Sequence, residues 1–476
     1  MVRAALRSPA TLAAVLLAAL ITIPLADSLY RVPIQVSDSL EPIVIAAKYD
    51  SAQQLFQDSL TFSPTTFRPL RYLQARWLLQ AAEASGLSYH AVFRGAHVAL
   101  LWILVILFVV AVRVRDWPDL VAFSVAFPVL IGIHTFLSML VEAFPVNHFA
   151  EVGACALGVL VMARREPRWY APAITCVLLA IALSVIESGA MVWVTVVCCA
   201  AAGMRGISRR TVVATTVLFA GYVLLRQTLG ISSPGIGGHG SGFGDRFYSP
   251  DELAQRFGAH PLGFMLYNVV GGFASLVIAE PRQGVYSLLA AWRKGEIAPV
   301  VIINVISSMA TTALLIWHSV VRLPRSRSAW SDSDRTFVAA CAAIVVNAAF
   351  NAVYIKDEIM SPAGLLYAVA TFVAVRAAIE SLPRQSLSAA ALVTVFLAFS
   401  ATLWTFRAVG VHYQLRYDAF KTRNDWVEVL RPDRHDDWPG DPGELALTER
   451  IRAEAINRRT TSPTFMPRWA DRYWVE

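Results

Sequence analysis

The chain opens on "MVRAALRSPATLAAVLLAALITIPLADS" (Met1–Ser28), and the reading of that stretch decides the architecture. Arg3 and Arg7 precede an uncharged apolar core, and small residues follow it. That order serves a cleaved secretory signal or an uncleaved first transmembrane helix. The helix is preferred, because many apolar runs follow and the polar segment behind it carries a pattern of its own. Composition agrees. Of 476 residues 56% are hydrophobic and 16% charged, and the mean hydropathy is +0.52. Soluble domains sit nearer about 45–50% apolar. The expected class is an all-α polytopic membrane protein.

Crossing a bilayer takes about 20 mostly apolar residues in a helix. Runs of that kind fall near 10–27, 95–112, 120–141, 147–163, 211–227, 298–319, 336–354, 362–380 and 387–407. The stretch from Pro172 to Gly203 is long enough for two short spans and is broken by "ESG" (Glu187–Gly189). Arginine distribution supports that split. With a cytoplasmic N-terminus, the inner connections hold Arg113 and Arg115, then Arg164, Arg165 and Arg168, then Arg205, Arg209 and Arg210. Arg322, Arg325, Arg327 and Arg384 continue the series, while the short outer connections hold Glu142, Glu187 and "KDE" (Lys356–Glu358). Such asymmetry is the positive-inside signature. It gives about 11 transmembrane helices in a cytoplasmic (inner) membrane, N-terminus inside and C-terminus outside.

The net charge of +7 therefore reads as topology, not as a nucleic-acid footprint; only four basic residues are Lys. Cys155, Cys176, Cys198, Cys199 and Cys341 all lie within apolar runs, without a CxxC or Cys/His spacing. They read as small buried hydrophobes.

Three long segments fall on the outer face: 28–94, 228–297 and 408–476. The first contains "FRPLRYLQARWLLQAAEASG", with Leu70, Leu73, Trp77, Leu78 and Ala81 at helical spacing and Gly86 as a stop. A helix of that pattern fits a membrane interface. The second opens on the glycine-rich "GISSPGIGGHGSGFGD" (Gly230–Asp245), expected as a loop. Two short apolar runs follow near 264–279 and 284–292, read as re-entrant or interfacial; a true span at 264–280 would change the count. The third is polar, so the chain divides into a membrane domain, 1–407, and an outer tail, 408–476.

Four constellations carry possible chemistry. In "VSDSLEP" (Val36–Pro42), Asp38 and Glu41 stand three residues apart just beyond the first span. They read as a base, a metal or sugar ligand, or a helix cap, and these roles are compatible. In "VEAFPVNHFAE" (Val141–Glu151), His148 and Glu151 share a helix face. Their alternative is a polar loop with a capped helix start. Glu187 lies between two short apolar runs, which marks a functional site or a solvated turn. In "NAAFNAVYIKDEIMSPAG" (Asn347–Gly364), Tyr354 and Lys356 crowd the outer end of a span, where Lys holds a phosphate or both anchor at the interface. His239, Asp245, Arg246, His260, Arg282, Arg293 and Lys294 lie in the second long loop and suit an anionic substrate, or are the polar residues any long outer loop contains. No G-x-x-x-x-G-K-[ST], H-E-x-x-H or G-x-S-x-G occurs, so nucleotide-driven transport and serine-hydrolase chemistry have no support.

A first span, an outer loop opening on "SDSLEP", many further spans and a second long outer loop together resemble the GT-C superfamily of polytopic glycosyltransferases. "YIKDEIMSP" (Tyr354–Pro362) is loosely similar to a basic-then-proline stretch in that superfamily. The resemblance covers the first 400 or so residues. It implies a polyprenyl-phosphate sugar donor, a glycan, lipid or protein acceptor, and an acidic residue in the first outer loop as base or metal contact. The chain departs from the pattern in having no adjacent acidic pair and no large C-terminal domain, which puts an Mg or Mn cofactor in question. On this resemblance Asp38 is the expected base, with Glu41 supporting it. Lys356 is expected to hold phosphate, with Arg68 or Arg71 as rivals, and Tyr354, Arg282, Arg293, His148 and Glu187 as further substrate contacts. The alternatives are a transporter or flippase of a lipid-linked intermediate, and an oligosaccharide polymerase or ligase.

Overall fold

The computed structural model describes residues 8–36, 39–63, 66–141, 148–231, 241–243, 246–248, 251–252, 255, 261–279, 284–295, 297, 299–352, 357–429 and 442–458. The fold is helical. Among the described residues the extended structure is one short ladder, Ser241–Phe243 against Arg246–Tyr248.

Helix α1 (Pro9–Arg31) starts on Pro9, whose missing N–H costs nothing in a first turn. Three short helices follow: α2 (Leu40–Ala47), α3 (Ala52–Ser59) and α4 (Pro69–Ser85). Then come α5 (Tyr89–Val112), a bent pair α6 (Trp117–Gly132) and α7 (His134–Val141), α8 (His148–Ala163), α9 (Ala171–Val185), α10 (Ala190–Ala201) and α11 (Arg209–Thr228). The second half holds α12 (Pro261–Ala274), α13 (Gly284–Lys294), α14 (Pro299–Trp317), α15 (Asp332–Ala349), α16 (Ser361–Ser381), α17 (Leu387–Val429) and α18 (Pro442–Ile456).

Among the described residues six helices are long and apolar enough to cross a membrane: α1, α5, α11, α14 with its continuation to Arg322, α16 and α17. The α6–α7 pair, bent by 56° at Ile133, makes a seventh if it counts as one span. Helices α8, α9 and α10, which the sequence reading counts as spans, are apolar but run only 16, 15 and 12 residues. Helices α9 and α10 fall short of about 20 because Glu187–Gly189 folds as a tight turn between them. Gly189 makes the turn possible, since a Cβ there would lie 2.2 Å from the Ala182 carbonyl oxygen. Helix α16 is the axis. It is almost wholly buried, rich in Ala, Gly and Ser, and packs against α6, α8 and α15. Small side chains let neighbouring backbones approach, which is how helices associate in lipid.

The bundle has two distinct ends. At one end lie the arginine-rich connections. Ser8 Oγ donates to the Arg115 carbonyl at 2.7 Å, tying the start of α1 to the end of α5. Arg113 donates to the Arg164 carbonyl and Arg164 to that of Ala111, so each arginine closes the other's helix end. Arg335 reaches the Gly203 carbonyl across the end of α10.

The other end carries α2, α3 and α4, here termed the loop end. It has its own apolar cluster, including Leu40, Ile43, Leu55, Tyr72, Leu79 and Phe93. Trp426, Leu447 and Ile451 complete this cluster from the far end of the chain. The expected boundary at 408 falls inside α17, a helix of 43 residues. Trp426 is fully buried and donates to the Ile34 carbonyl at 2.6 Å. The Glu454 carboxylate on α18 accepts from the Tyr89 and His90 N–H groups at 3.1 and 2.9 Å, capping α5. Negative charge is favoured at a helix N-terminus.

Helix α4 is rotated from the sequence expectation. Arg71, Tyr72, Ala75, Leu79 and Ala82 face inward, while Trp77 and Ala81 are exposed and Leu70, Leu73 and Leu78 are half-buried. The inward turn of Arg71 and the edge contact of Tyr72 with Phe62, at 5.0 Å between ring centres, set this register.

Helices α12 and α13 pack on each other as a hairpin in which Ser275 Oγ accepts from Val285 N at 3.0 Å. The hairpin dips beside the middle of α14, where Thr312 Oγ1 donates to the Val277 carbonyl at 2.8 Å.

Candidate functional site

Six of the residues singled out in the sequence meet at the loop end: Glu41, Arg68, Arg71, His148, Glu151 and Glu187. Helix α4 and the residues before it bring the arginines. Arg68 stands at the N-cap position, and Pro69 starts the helix. Arg71 follows one turn later and is buried. Its Nη2 lies 3.5 Å from Glu41 Oε2, and Glu41 is exposed in the first turn of α2. Ser39 occupies the cap position of α2 but its side chain makes no capping bond there.

Arg68 and Glu187 form the tightest junction. Arg68 Nε and Nη2 both donate to Glu187 Oε2, at 3.2 and 2.9 Å, and Phe67 N donates to Oε1 at 3.1 Å. Arg226 on α11 approaches the same carboxylate at 3.8 Å and donates to the Tyr222 hydroxyl at 3.2 Å. Burial pushes the Glu187 carboxyl up. The Arg68 guanidinium, its hydrogen bond and the N–H groups of Glu187 and Phe67 outweigh that and hold it below the ordinary carboxylate value. On this face three guanidiniums, Arg68, Arg71 and Arg226, meet two carboxylates, Glu41 and Glu187.

The floor is the start of α8. His148 is fully buried, with Nδ1 3.4 Å from Glu151 Oε2. Gln74, one turn beyond Arg71 on α4, donates to the other Glu151 oxygen in a short contact. Two i, i+3 pairs thus face one another across the junction: Arg71 with Gln74, and His148 with Glu151. Besides Glu151, the ionisable side chains of Arg68, Arg71 and His97 lie near His148.

The other expected site residues lie elsewhere. Asp38, Tyr354, Lys356 and Arg282 fall outside the described residues. Arg293 ends α13, away from this cluster. Gln74, Tyr222 and Arg226 belong to the site but were not singled out in the sequence. Arg226 had a signal: it is a basic residue at the end of a span opposite the arginine-rich connections, against the general arginine pattern.

Among the described residues no three His, Cys, Asp or Glu side chains converge. Each carboxylate here faces a guanidinium, an amide or an imidazole, and this donor set does not fit a divalent cation. All five cysteines carry free thiols, and Cys155, Cys198 and Cys199 are buried.

The chain matches no family model, no curated protein and no solved structure. The fold itself defines the class, a helical polytopic membrane protein with a cationic polar cluster at one end.

Proposed function

We propose that this protein is a membrane glycosyltransferase that moves a sugar from a polyprenyl-phosphate donor to a glycan, lipid or protein acceptor. In this reading the chain crosses a cytoplasmic membrane about 11 times, with α12 and α13 re-entrant, and both the loop end and the C-terminus face outward. One observation carries it: Arg68, Arg71 and Arg226 gather beside Glu41 and Glu187 at the end of the bundle where a lipid headgroup lies.

The chemistry needs a base and a cationic cradle. Asp38, supported by Glu41, takes the proton of the acceptor hydroxyl as its oxygen attacks the anomeric carbon. The bond from that carbon to the donor's phosphate oxygen breaks, and the lipid phosphate leaves with the electron pair. Arginine at Arg68 and Arg71 stabilises the charge that develops on it. Glu187 orients Arg68, and Glu151 with Gln74 fixes the floor beneath Arg71.

Asp38→Asn is the test, with surface glycan followed in cells and donor consumption followed with purified protein. A loss of about 100-fold or more at normal protein level is expected for a general base. Full activity would remove Asp38 from the mechanism and move attention to 228–297. Transport of a lipid-linked intermediate is the second reading, favoured by the polar side chains buried inside the bundle at Asn304, Ser307, Ser308 and Arg407. Donor consumption without transmembrane movement separates the two.

A further inference from the structure

Among the described residues two arginines, Arg94 and Arg407, are buried in this bundle without a carboxylate partner, and they are used differently. Arg94 on α5 employs all of its nitrogens. Its Nε donates to the Val32 carbonyl at 2.7 Å, Nη2 to that of Pro33 at 2.6 Å, and Nη1 lies 2.8 Å from His97 Nδ1. It is a structural clamp on the chain leaving α1.

Arg407 on α17 is only 3% exposed. Its Nη1 reaches the Asn304 carbonyl at 3.3 Å, Ser307 Oγ at 2.8 Å and Ser308 Oγ at 2.9 Å, all on α14. Among the described residues its Nε and Nη2 meet no hydrogen-bond partner, and no carboxylate pairs with it. The guanidinium plane stacks on Trp404, 3.9 Å from the ring centre, and Trp404 is itself held by a 2.8 Å bond to Thr311 Oγ1. One face and one nitrogen are therefore fixed, and the Nε–Nη2 edge is left over. That edge is the parallel two-donor fork that matches a phosphate or carboxylate. Cation–π contact offsets only part of the cost of a desolvated guanidinium. A buried charge without a counter-ion is strongly unfavourable, so the site is incomplete without an anion.

Height along the bundle selects the anion. His412 on the same helix lies 2.8 Å from Ser28 Oγ, in the last turns of α1 at the loop end. Arg407 is five residues earlier, about 7.5 Å deeper at 1.5 Å per residue. It is also about 30 Å along α17 from Leu387, a full hydrocarbon thickness. That is the level of lipid phosphates at the loop end.

We propose that the Nε–Nη2 edge of Arg407 binds the phosphate of a lipid as a two-donor oxyanion site. This goes beyond the transferase reading and does not depend on it, since the site serves a donor, a transported lipid or a resident phospholipid alike. The test uses purified full-length protein titrated with dodecyl phosphate, with inorganic phosphate and neutral dodecyl maltoside as parallel probes. Dodecyl phosphate is expected to bind and to slow amide exchange in α17 around Arg407 and in α14 around Asn304. Arg407→Lys keeps the charge but loses the fork, and Arg407→Met loses both; each is expected to weaken binding at least tenfold. Equal binding of inorganic phosphate at the same segments would assign the fork to a soluble anion and overturn the lipid assignment. Unchanged binding in Arg407→Lys, or no exchange protection in the wild-type protein at either segment, would overturn the site altogether. The wild-type exchange arm decides the matter even if Arg407→Met does not fold.

Discussion

The two ends of the bundle both carry arginine, and the clusters that hold each end together differ in what it meets. At the arginine-rich end three guanidiniums close helix ends through backbone. Arg113, Arg164 and Arg335 donate to carbonyls at the ends of α8, α5 and α10, groups that a helix terminus leaves unsatisfied. Others there meet carboxylates: Arg376 is held by Asp116, Asp119 and Glu380 at 3.0, 2.8 and 3.3 Å, and Arg115 lies 3.3 Å from Asp119. At the loop end Arg94 also serves backbone, on the Val32 and Pro33 carbonyls, but the guanidiniums of the polar cluster point at side chains. Arg68 and Arg226 share Glu187, and Arg71 faces Glu41. Arginine that satisfies carbonyls holds helices together. Arginine held by carboxylates is fixed in place as a side chain, and in the proposed function that is what an anion meets.

The loop end depends on the tail, which supplies Trp426, Leu447 and Ile451 to its apolar cluster. Trp426→Ala would empty the fully buried centre of the second apolar cluster, at a cost of about 3–5 kcal/mol. Limited proteolysis should then release α18 and expose 39–85 while leaving the spans intact. Concerted unfolding of the whole chain would instead make both ends one cooperative unit.

Arg376→Leu is the matching break at the other end. It leaves Asp119, 1% exposed, with a weaker set of partners, and should cost about 3 kcal/mol. The account expects thermal stability to fall and turnover per folded molecule to stay as it was. A selective loss of turnover would erase the distinction between the two ends.

Glu187→Gln is the smaller and more specific break, about 1–2 kcal/mol for a partly screened pair. Its pH dependence has a definite sign. A carboxyl held low in the folded protein contributes stability above its unfolded value of about 4.3, and loses it as pH falls through the lower folded value. The gap in melting temperature between wild type and Glu187→Gln should therefore hold from pH 7 to about 5 and close only below about pH 4. A gap that closes near neutrality would mean that the Arg68–Glu187 junction is not the source.

Much of this organisation is legible in the chain itself. Long apolar runs mark α1, α5, α14 and α16, and the arginine series marks which connections share an end. The turn at Glu187 is legible because a lone carboxylate interrupts an apolar stretch. What escapes is what mean hydropathy averages away. Residues 408–429 are polar overall, yet Val411, Leu415, Ala419 and Trp426 form a buried stripe at helical spacing, so α17 simply continues. On α4 the apolar residues outline one face, but Arg71 and Tyr72 claim the interior through Glu41 and Phe62. Such a rotation follows from partners on other elements, and no local pattern encodes it. Gln74 and Arg226 join the site for the same reason, through Glu151 and Glu187.

The most direct measurement is turnover of a defined polyprenyl-phosphate sugar by purified protein carrying Arg71→Gln with Glu41→Gln, set against Arg376→Leu. The account predicts that the loop-end pair abolishes donor consumption in a protein that remains folded, while Arg376→Leu loses stability and keeps its rate per folded molecule. Wild-type turnover in the loop-end double variant would contradict it.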